Sequence, residues 1–105
     1  MNRYRLSVEA NVDFREVYAY IARSNLTAAE RLRQRFFEKF ELLGRFPLLG
    51  EVRRDLPAVA REIRSFSLGE FVIYYRVLSD QSDQVEIIRL ARGAQDVDTL
   101  SANNL

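Results

Sequence analysis

The period of the hydrophobic pattern changes once along this chain, and that change constrains the fold more than any other feature. In the first half, apolar residues recur every three or four positions, the spacing of helices with one buried face. After Ala60 they alternate or run together in short stretches of aromatic and β-branched residues, which is typical of strands. Helices followed by short strands predict an α+β domain, with the helices on one face of an antiparallel sheet.

Two helices joined by a short link are predicted in the first half. Ser7 is the candidate N-cap of the first helix, which is placed at about residues 8–24. The second is predicted to begin at Thr27, where Thr27-Ala28-Ala29-Glu30 has the pattern of a capping box, and to stop at Gly44 and Pro47. The short link makes the helices antiparallel neighbours. The predicted core stripes are Ala10, Phe14, Val17 and Ile21, and then Ala29, Leu32, Phe36, Phe40 and Leu43.

Both helices also carry apolar residues outside these stripes. Tyr20 flanks the first stripe, and at about 100° per residue Phe37 and Leu42 fall on opposite flanks of the second. Two explanations stay open. Each helix could contact both its partner and the sheet, which widens the buried face, or the flanks could form an exposed apolar groove for a partner.

The second half predicts a sheet of three to four antiparallel strands. Pro47 to Ala60 is expected to form an irregular loop. Leu68-Gly69-Glu70 is expected to form a tight turn. The chain is expected to leave the sheet after Leu90. A short strand at the start is expected at a sheet edge or beside it. The predicted strands are Tyr4–Leu6, Ile63–Ser67, Phe71–Leu78 and Val85–Leu90.

Three arginines lie on the predicted strands. Alternation along Phe71–Leu78 places Arg76 with Tyr74 on the face away from the helices. Arg64 and Arg89 are on neighbouring strands, and whether they share that face depends on the strand register. If they do, three guanidinium groups converge on a concave surface. Otherwise they are expected to form ion pairs on the sheet surface, with Glu62, Glu70 or Glu86 as partners.

Composition excludes several kinds of chemistry. The chain has no histidine and no cysteine, which excludes Ser–His and Cys–His catalysis and removes the usual zinc ligands. Its four glycines are scattered and form no phosphate-binding loop, so neither a cofactor nor a metal is expected. The net charge of +1 does not suggest a general nucleic-acid binder. Every basic residue except Lys39 is arginine, which grips carboxylates in bidentate fashion but is also favoured by GC-rich genomes.

Length and terminal sequence suggest one cytoplasmic domain. A chain of 105 residues is expected to form a single domain, 1–105. The start, Met1-Asn2-Arg3-Tyr4-Arg5, lacks the apolar run of a signal peptide, and no stretch is apolar enough to span a bilayer. The absence of cysteine fits a reducing compartment.

Local patterns along nearly the whole chain resemble the ParE toxin family, of the ParE/RelE superfamily of type II toxin–antitoxin systems, and they lie in that family's order. Two positions depart from the family pattern: Arg92 stands where histidine is usual, and Val8 stands where proline is usual. The matching segments are Tyr4–Ser7, Tyr18–Ala22, Ala28–Arg31, the FPxxG-like connector Phe46–Gly50, Ile63–Phe66 with Tyr74–Val77, and Ile88–Asp96.

The resemblance implies a helical hairpin against an antiparallel sheet, inhibition of DNA gyrase without chemistry of its own, and neutralisation by a ParD-like antitoxin. Nucleic acid would be met only through gyrase or the antitoxin. The antitoxin tail would lay apolar residues on the helices and acidic residues against the arginines. Candidate antitoxin contacts are Tyr20, Phe37, Leu42, Arg64, Arg76 and Arg89. Candidate target contacts, in a segment that could equally be a simple cap over the sheet end, are Arg92, Gln95 and Asp96.

Two other functions stay open. A RelE-like ribosome-dependent endoribonuclease needs a general base and several cations on the sheet. Here the last tyrosine is Tyr75 and the only lysine, Lys39, lies on a predicted helix, so the non-enzymatic function is favoured. The substitution at Arg92 also permits an inactive toxin that survives as a binding module.

Overall fold

Two α-helices lie on one face of a five-stranded sheet. The computed structural model describes residues 3–56, 62–78 and 84–93. Within these ranges neither helix is long and apolar enough to cross a membrane. The elements are β1 (Tyr4–Leu6), α1 (Val8–Ala22), α2 (Leu26–Arg45), β2 (Glu51–Val52), β3 (Arg64–Leu68), β4 (Phe71–Val77) and β5 (Val85–Arg92). The α+β class is confirmed. The strand count is higher than predicted because β2 has two residues, too few to leave a periodic pattern in the sequence.

Side-chain caps start both helices. The Ser7 hydroxyl accepts a hydrogen bond from the Ala10 amide at 3.0 Å, which confirms the predicted N-cap of α1. The capping box predicted at Thr27 is wrong. Asn25 caps α2 instead, since its side-chain oxygen accepts from the Ala28 amide at 2.9 Å. Asn is at least as good an N-cap as Thr, and its position two residues earlier adds Leu26 and Thr27 to the helix.

The strand order is β1-β5-β4-β3-β2. β1 lies at the sheet edge, as expected, and runs parallel to β5, whereas the other pairs are antiparallel. The predicted exit from the sheet after Leu90 is wrong, because Ala91 still pairs with Val72 and Arg92 with Phe71. The turn between β3 and β4 is confirmed, and Gly69 supplies its left-handed backbone with φ of 59°.

A β-bulge interrupts the pairing of β4 with β5. Tyr74 lies opposite Arg89 and Tyr75 opposite Ile87, so Ile88 is the extra residue. The Ile88 carbonyl accepts a hydrogen bond from the Ser7 hydroxyl at 2.9 Å. The residue that caps α1 therefore also satisfies a backbone group at the bulge.

The sheet is covered on both faces. The main core lies between the helices and the sheet, and the predicted stripes supply most of its helical half. A second cluster lies on the opposite face, where Leu56, from the segment after β2, packs with Tyr74. Tyr74 is fully buried and the Arg53 guanidinium lies 5.5 Å from its ring centroid. The expectation that Tyr74 stands on an open face is therefore wrong. The members of the second cluster are Leu56, Ile63, Tyr74 and Ala91, with Val72 and Ile88 packed against them.

Candidate partner-binding surface

Arg64 supports the connector that leads from α2 to β2. It lies opposite Tyr75, whose side chain is in the helix-facing core, so Arg64 is on the helix side of β3. Its Nη1 donates to the carbonyls of Leu48 at 3.2 Å and Gly50 at 2.8 Å. Its Nη2 lies 3.8 Å from the Glu62 carboxylate. Arg64 is therefore engaged mainly by the connector backbone.

The Tyr75 hydroxyl makes two hydrogen bonds to the backbone of the same connector. It accepts from the Gly50 amide at 2.7 Å and donates to the Pro47 carbonyl at 2.8 Å. Burial raises the pKa of Tyr75, which keeps the phenol protonated and able to donate. A Cβ on Gly50 would lie 2.6 Å from the Tyr75 ring and hydroxyl, so only glycine fits there. The connector is thus held in one conformation by side chains of β3 and β4.

The connector exposes three large apolar side chains. Phe46, Leu48 and Leu49 are 56%, 70% and 49% exposed. Sequence analysis did not single them out, because the connector was interpreted only as part of a family pattern. The signal that could have found them is a run of apolar residues without helix or strand period between Phe46 and Gly50.

Arg76 lies on the face of the sheet away from the helices, as predicted. Its Nη2 is 2.7 Å from Glu86, the residue directly opposite it on β5. The same carboxylate lies 3.5 Å from Arg5 of β1. Glu86 therefore sits between two guanidinium groups, and the ion pair expected as one alternative for Arg76 is present.

Arg89 reaches α1. Its Nε and Nη2 donate to the two carboxylate oxygens of Asp13 at 2.7 and 3.0 Å. The Leu90 amide donates to Asp13 as well, at 2.9 Å. Asp13 is only 9% exposed. Sequence analysis missed it, although an acidic residue between Ala10 and Phe14, close to the core stripe, was an available signal.

The three arginines do not converge. Arg64 is on the helix side of the sheet, Arg76 is on the opposite face, and Arg89 is bound to α1. The register places Arg64 opposite Tyr75, whereas Arg76 follows Tyr75 and so points to the other face. The concave three-arginine surface is therefore not formed.

The apolar flank candidates have different environments. Tyr20 is 63% exposed, and the Arg23 guanidinium lies 5.9 Å from its ring centroid. Phe37 is half-buried, with edge-on contacts to the rings of Phe14 at 5.4 Å and Phe40 at 5.5 Å. Leu42 is half-buried on the other flank of α2. Phe37 thus widens the buried face, whereas Tyr20 is free to meet a partner.

Tyr20 and Arg92 border one shallow pocket. The pocket has a volume of about 220 Å³ and is completed by Glu16 and Val17 of α1. The Arg92 guanidinium lies 5.4 Å from the ring centroid of Phe71 and 3.6 Å from the Glu70 carboxylate. The structure therefore brings a candidate antitoxin contact and a candidate target contact together. Gln95 and Asp96, the other candidate target contacts, lie outside the described residues.

The described part of the chain holds no group of acidic side chains arranged to bind a metal ion. The charged groups described above are engaged with one another and with backbone carbonyls.

Comparison with known proteins identifies the family. The family described as "ParE toxin of type II toxin-antitoxin system, parDE" matches residues 4–97. The chain therefore belongs to the ParE toxin family. A solved structure titled "Chromosomal ParDE TA system from P. aeruginosa" is similar in fold, with a TM-score of 0.66 and 20% identity over 89% of this chain and 97% of that chain. Comparison with curated proteins found no match.

Proposed function

We propose that this chain is a cytoplasmic toxin that inhibits DNA gyrase by binding, without catalysis of its own, and that a ParD-like antitoxin neutralises it. The observation that carries the proposal is the match to the ParE toxin family over residues 4–97. The composition agrees with a non-catalytic function, since histidine and cysteine are absent from the whole chain.

The environment of Tyr75, the last tyrosine of the chain, supports the same proposal. Tyr75 is fully buried, its hydroxyl makes hydrogen bonds to Gly50 and Pro47, and burial raises its pKa. A general base must reach its substrate and lose its proton near neutral pH, and Tyr75 is poorly suited to both. Arg64 and Arg89 are bound to the connector and to Asp13, so both position chain segments. Arg64 also borders a pocket of about 300 Å³, where the carboxylate of Glu62 accompanies it.

Under this proposal, Tyr20 and Arg92 contribute contacts to macromolecular partners. Tyrosine and arginine are the residue types that most often carry binding energy at protein interfaces. The Tyr20 ring is exposed, and the pocket beside it gives a partner side chain a place to insert. Tyr20→Ala should weaken a contact while leaving the core intact. Leu26→Ala, at a position 61% exposed, is the matched control.

The first test is growth after induction of this chain alone and together with the gene next to it. Growth arrest that the neighbour relieves is expected. Purified toxin should then reduce supercoiling by gyrase or cause cleaved DNA to accumulate. Normal gyrase behaviour at saturating toxin would refute the proposed target. Discrete cleavage of translated messenger RNA, measured by primer extension, would show a ribonuclease instead.

A further inference from the structure

Three basic residues of α2 lie close together on one flank of the helix. At about 100° per residue, Arg31, Arg35 and Lys39 fall within about 80° of arc on one flank. Glu30 and Glu41 fall about 80–100° from Arg31, toward α1, which Glu30 contacts through Tyr18. Glu38 borders the three basic residues, at about 20° from Arg31. Residues 31, 35 and 39 follow one another at the four-residue spacing that makes side chains neighbours on a helix, and like charges at this spacing are destabilising. We call these three residues the basic stripe.

The basic stripe forms no salt bridge within the part of the chain that the structure describes. Across residues 3–56, 62–78 and 84–93, none of its members forms a salt bridge, whereas seven other arginines of these segments do. Arg31 and Arg35 are exposed and Lys39 is half-buried. Nη2 of Arg35 lies 3.8 Å from the position that a Cβ would take on Gly69, so the stripe runs beside the β3–β4 turn. Three neighbouring like charges that form no salt bridge with a described residue, although Glu38 lies beside them, are suited to an acidic partner.

An apolar surface continues the stripe. Leu42 lies within the same arc near the C-terminal end of α2, and Phe46 is the C-cap residue just beyond the helix. Leu42 is half-buried and Phe46 is 56% exposed, and Leu48 and Leu49 follow in the connector. The hydrogen bonds of Tyr75 and Arg64 to the connector backbone hold this end in place without a partner. Preorganisation of this kind lowers the entropy lost on binding.

We propose that the basic stripe and the exposed connector form one docking surface for an antitoxin segment that is acidic at one end and apolar at the other. The proposal rests on the proposed function, since it names the surface that the antitoxin occupies. The acidic end lies against Arg31, Arg35 and Lys39, and the apolar end covers Phe46 and Leu48. From residue 31 to residue 46 the surface is about 22 Å long. A helix of about 15 residues or an extended segment of about seven residues matches that length.

The chemistry favours a polypeptide over a nucleic acid. Phosphate groups make no favourable contact with the apolar side chains of the connector. A protein segment would bury these side chains, and that burial would contribute free energy to binding. The proposed docking surface on α2 is distinct from the pocket between Tyr20 and Arg92. That pocket lies on α1 and at the end of β5. The antitoxin can therefore occupy the outer side of α2 while that pocket is free.

The test uses charge reversal with a matched control. Arg31→Glu with Arg35→Glu reverses two of the three charges of the stripe, and Arg15→Glu with Arg54→Glu makes the same charge change at exposed positions elsewhere. Affinity for the purified product of the adjacent gene is measured by calorimetry at two salt concentrations. The stripe variant is expected to bind at least about tenfold more weakly and to lose most of its salt dependence, since a single charge-assisted contact can change affinity that much. The control is expected to stay within about twofold of the parent protein.

The apolar end is tested in the same way. Phe46→Ser with Leu48→Ser is compared with Val8→Ser with Leu26→Ser, because Val8 and Leu26 are also exposed, at 75% and 61%. Only the connector variant is expected to lose antitoxin affinity. Urea unfolding of all four variants checks that each is folded.

The outcomes separate this inference from the proposed function. If the parent protein is toxic and binds the neighbour's product, but the stripe and connector variants bind it as tightly as their controls, the docking surface is wrong and the proposed function stands. If the stripe variant keeps antitoxin affinity but loses toxicity, the stripe contacts the toxin's target and the inference is overturned. If the neighbour's product neither binds the parent protein nor relieves arrest, the proposed antitoxin and the docking surface both fail.

Discussion

The buried pair of Asp13 and Arg89 gives the sharpest prediction about stability. Asp13→Ala removes the carboxylate that accepts two hydrogen bonds from Arg89 and one from the Leu90 amide. These bonds are what fix the middle of α1 to β5 just beyond the bulge. The substitution leaves a buried backbone amide without its acceptor, and it takes away the anion that faces the guanidinium.

The expected loss is about 3 kcal/mol. Breaking a buried ion pair by removing one partner costs about 3–5 kcal/mol, and an unsatisfied buried amide alone costs about 1–3 kcal/mol. The Arg89 side chain keeps 22% exposure, so water can reach it and the loss should lie at the lower end of the first range. Since domains of this size have about 5–15 kcal/mol of stability in total, the effect is large.

Urea unfolding followed by circular dichroism measures the change, with the m-value checked for constancy. Asp13→Leu combined with Arg89→Met should cost less than Asp13→Ala, because it also removes the guanidinium that would lose its carboxylate, whereas the Leu90 amide loses its acceptor in both variants. Asp55→Ala is the control. It breaks the pair of Arg53 with the exposed Asp55 and should cost much less than Asp13→Ala. A loss below about 1 kcal/mol for Asp13→Ala would refute the reasoning that the carboxylate holds α1 to the sheet.

Three further predictions concern the connector and the helix caps. Gly50→Ala should destabilise the fold by about 2 kcal/mol or more in urea unfolding, since the new Cβ would overlap Tyr75; an unchanged midpoint would mean that the connector moves aside at little cost. Tyr75→Phe should cost about 1–3 kcal/mol at neutral pH. Burial raises the pKa of Tyr75 in the folded state. The stability that the protonated phenol contributes is therefore fully present below the unfolded pKa of about 10, and it is lost as the pH rises through the folded pKa. The parent protein should therefore lose stability in alkaline urea titrations, and Tyr75→Phe should lose less; equal losses would contradict the assignment. Asn25→Ala should cost about 1 kcal/mol and Thr27→Ala much less, and the reverse order in thermal unfolding would restore the cap predicted at Thr27.

Helix prediction succeeded where the signal was repeated over many residues. The stripe residues of α2 are buried except Leu32, which packs against the core, and the Ser7 cap is present. The start of α2 was misplaced because two adjacent segments both offered a capping side chain, and only backbone geometry chooses between Asn25 and Thr27. β2 was missed because two residues cannot show alternation.

The candidate surface was only partly predictable. Tyr20 was correctly placed outside the core stripe of α1 and is exposed. The connector contributes the three neighbouring exposed residues Phe46, Leu48 and Leu49, yet its sequence alone does not say whether they are buried. Their exposure follows from Tyr75 and Arg64, which bind the connector backbone and so fix the direction of its side chains.

The sequence by itself determined the helical hairpin, the α+β class, the absence of histidine and cysteine chemistry, and enough local pattern to suggest the family that the comparison confirms. Only the tertiary structure decided where the arginines act. The face on which a strand residue lies depends on register, and one inserted residue changes the face for all that follow. Here the pairing of β4 with β5 is interrupted at Ile88, and Arg89 binds Asp13 of α1. Leu56 and Ile63 bury Tyr74 on the face that the sequence left open. These are contacts between residues far apart in the chain, and no local pattern records them.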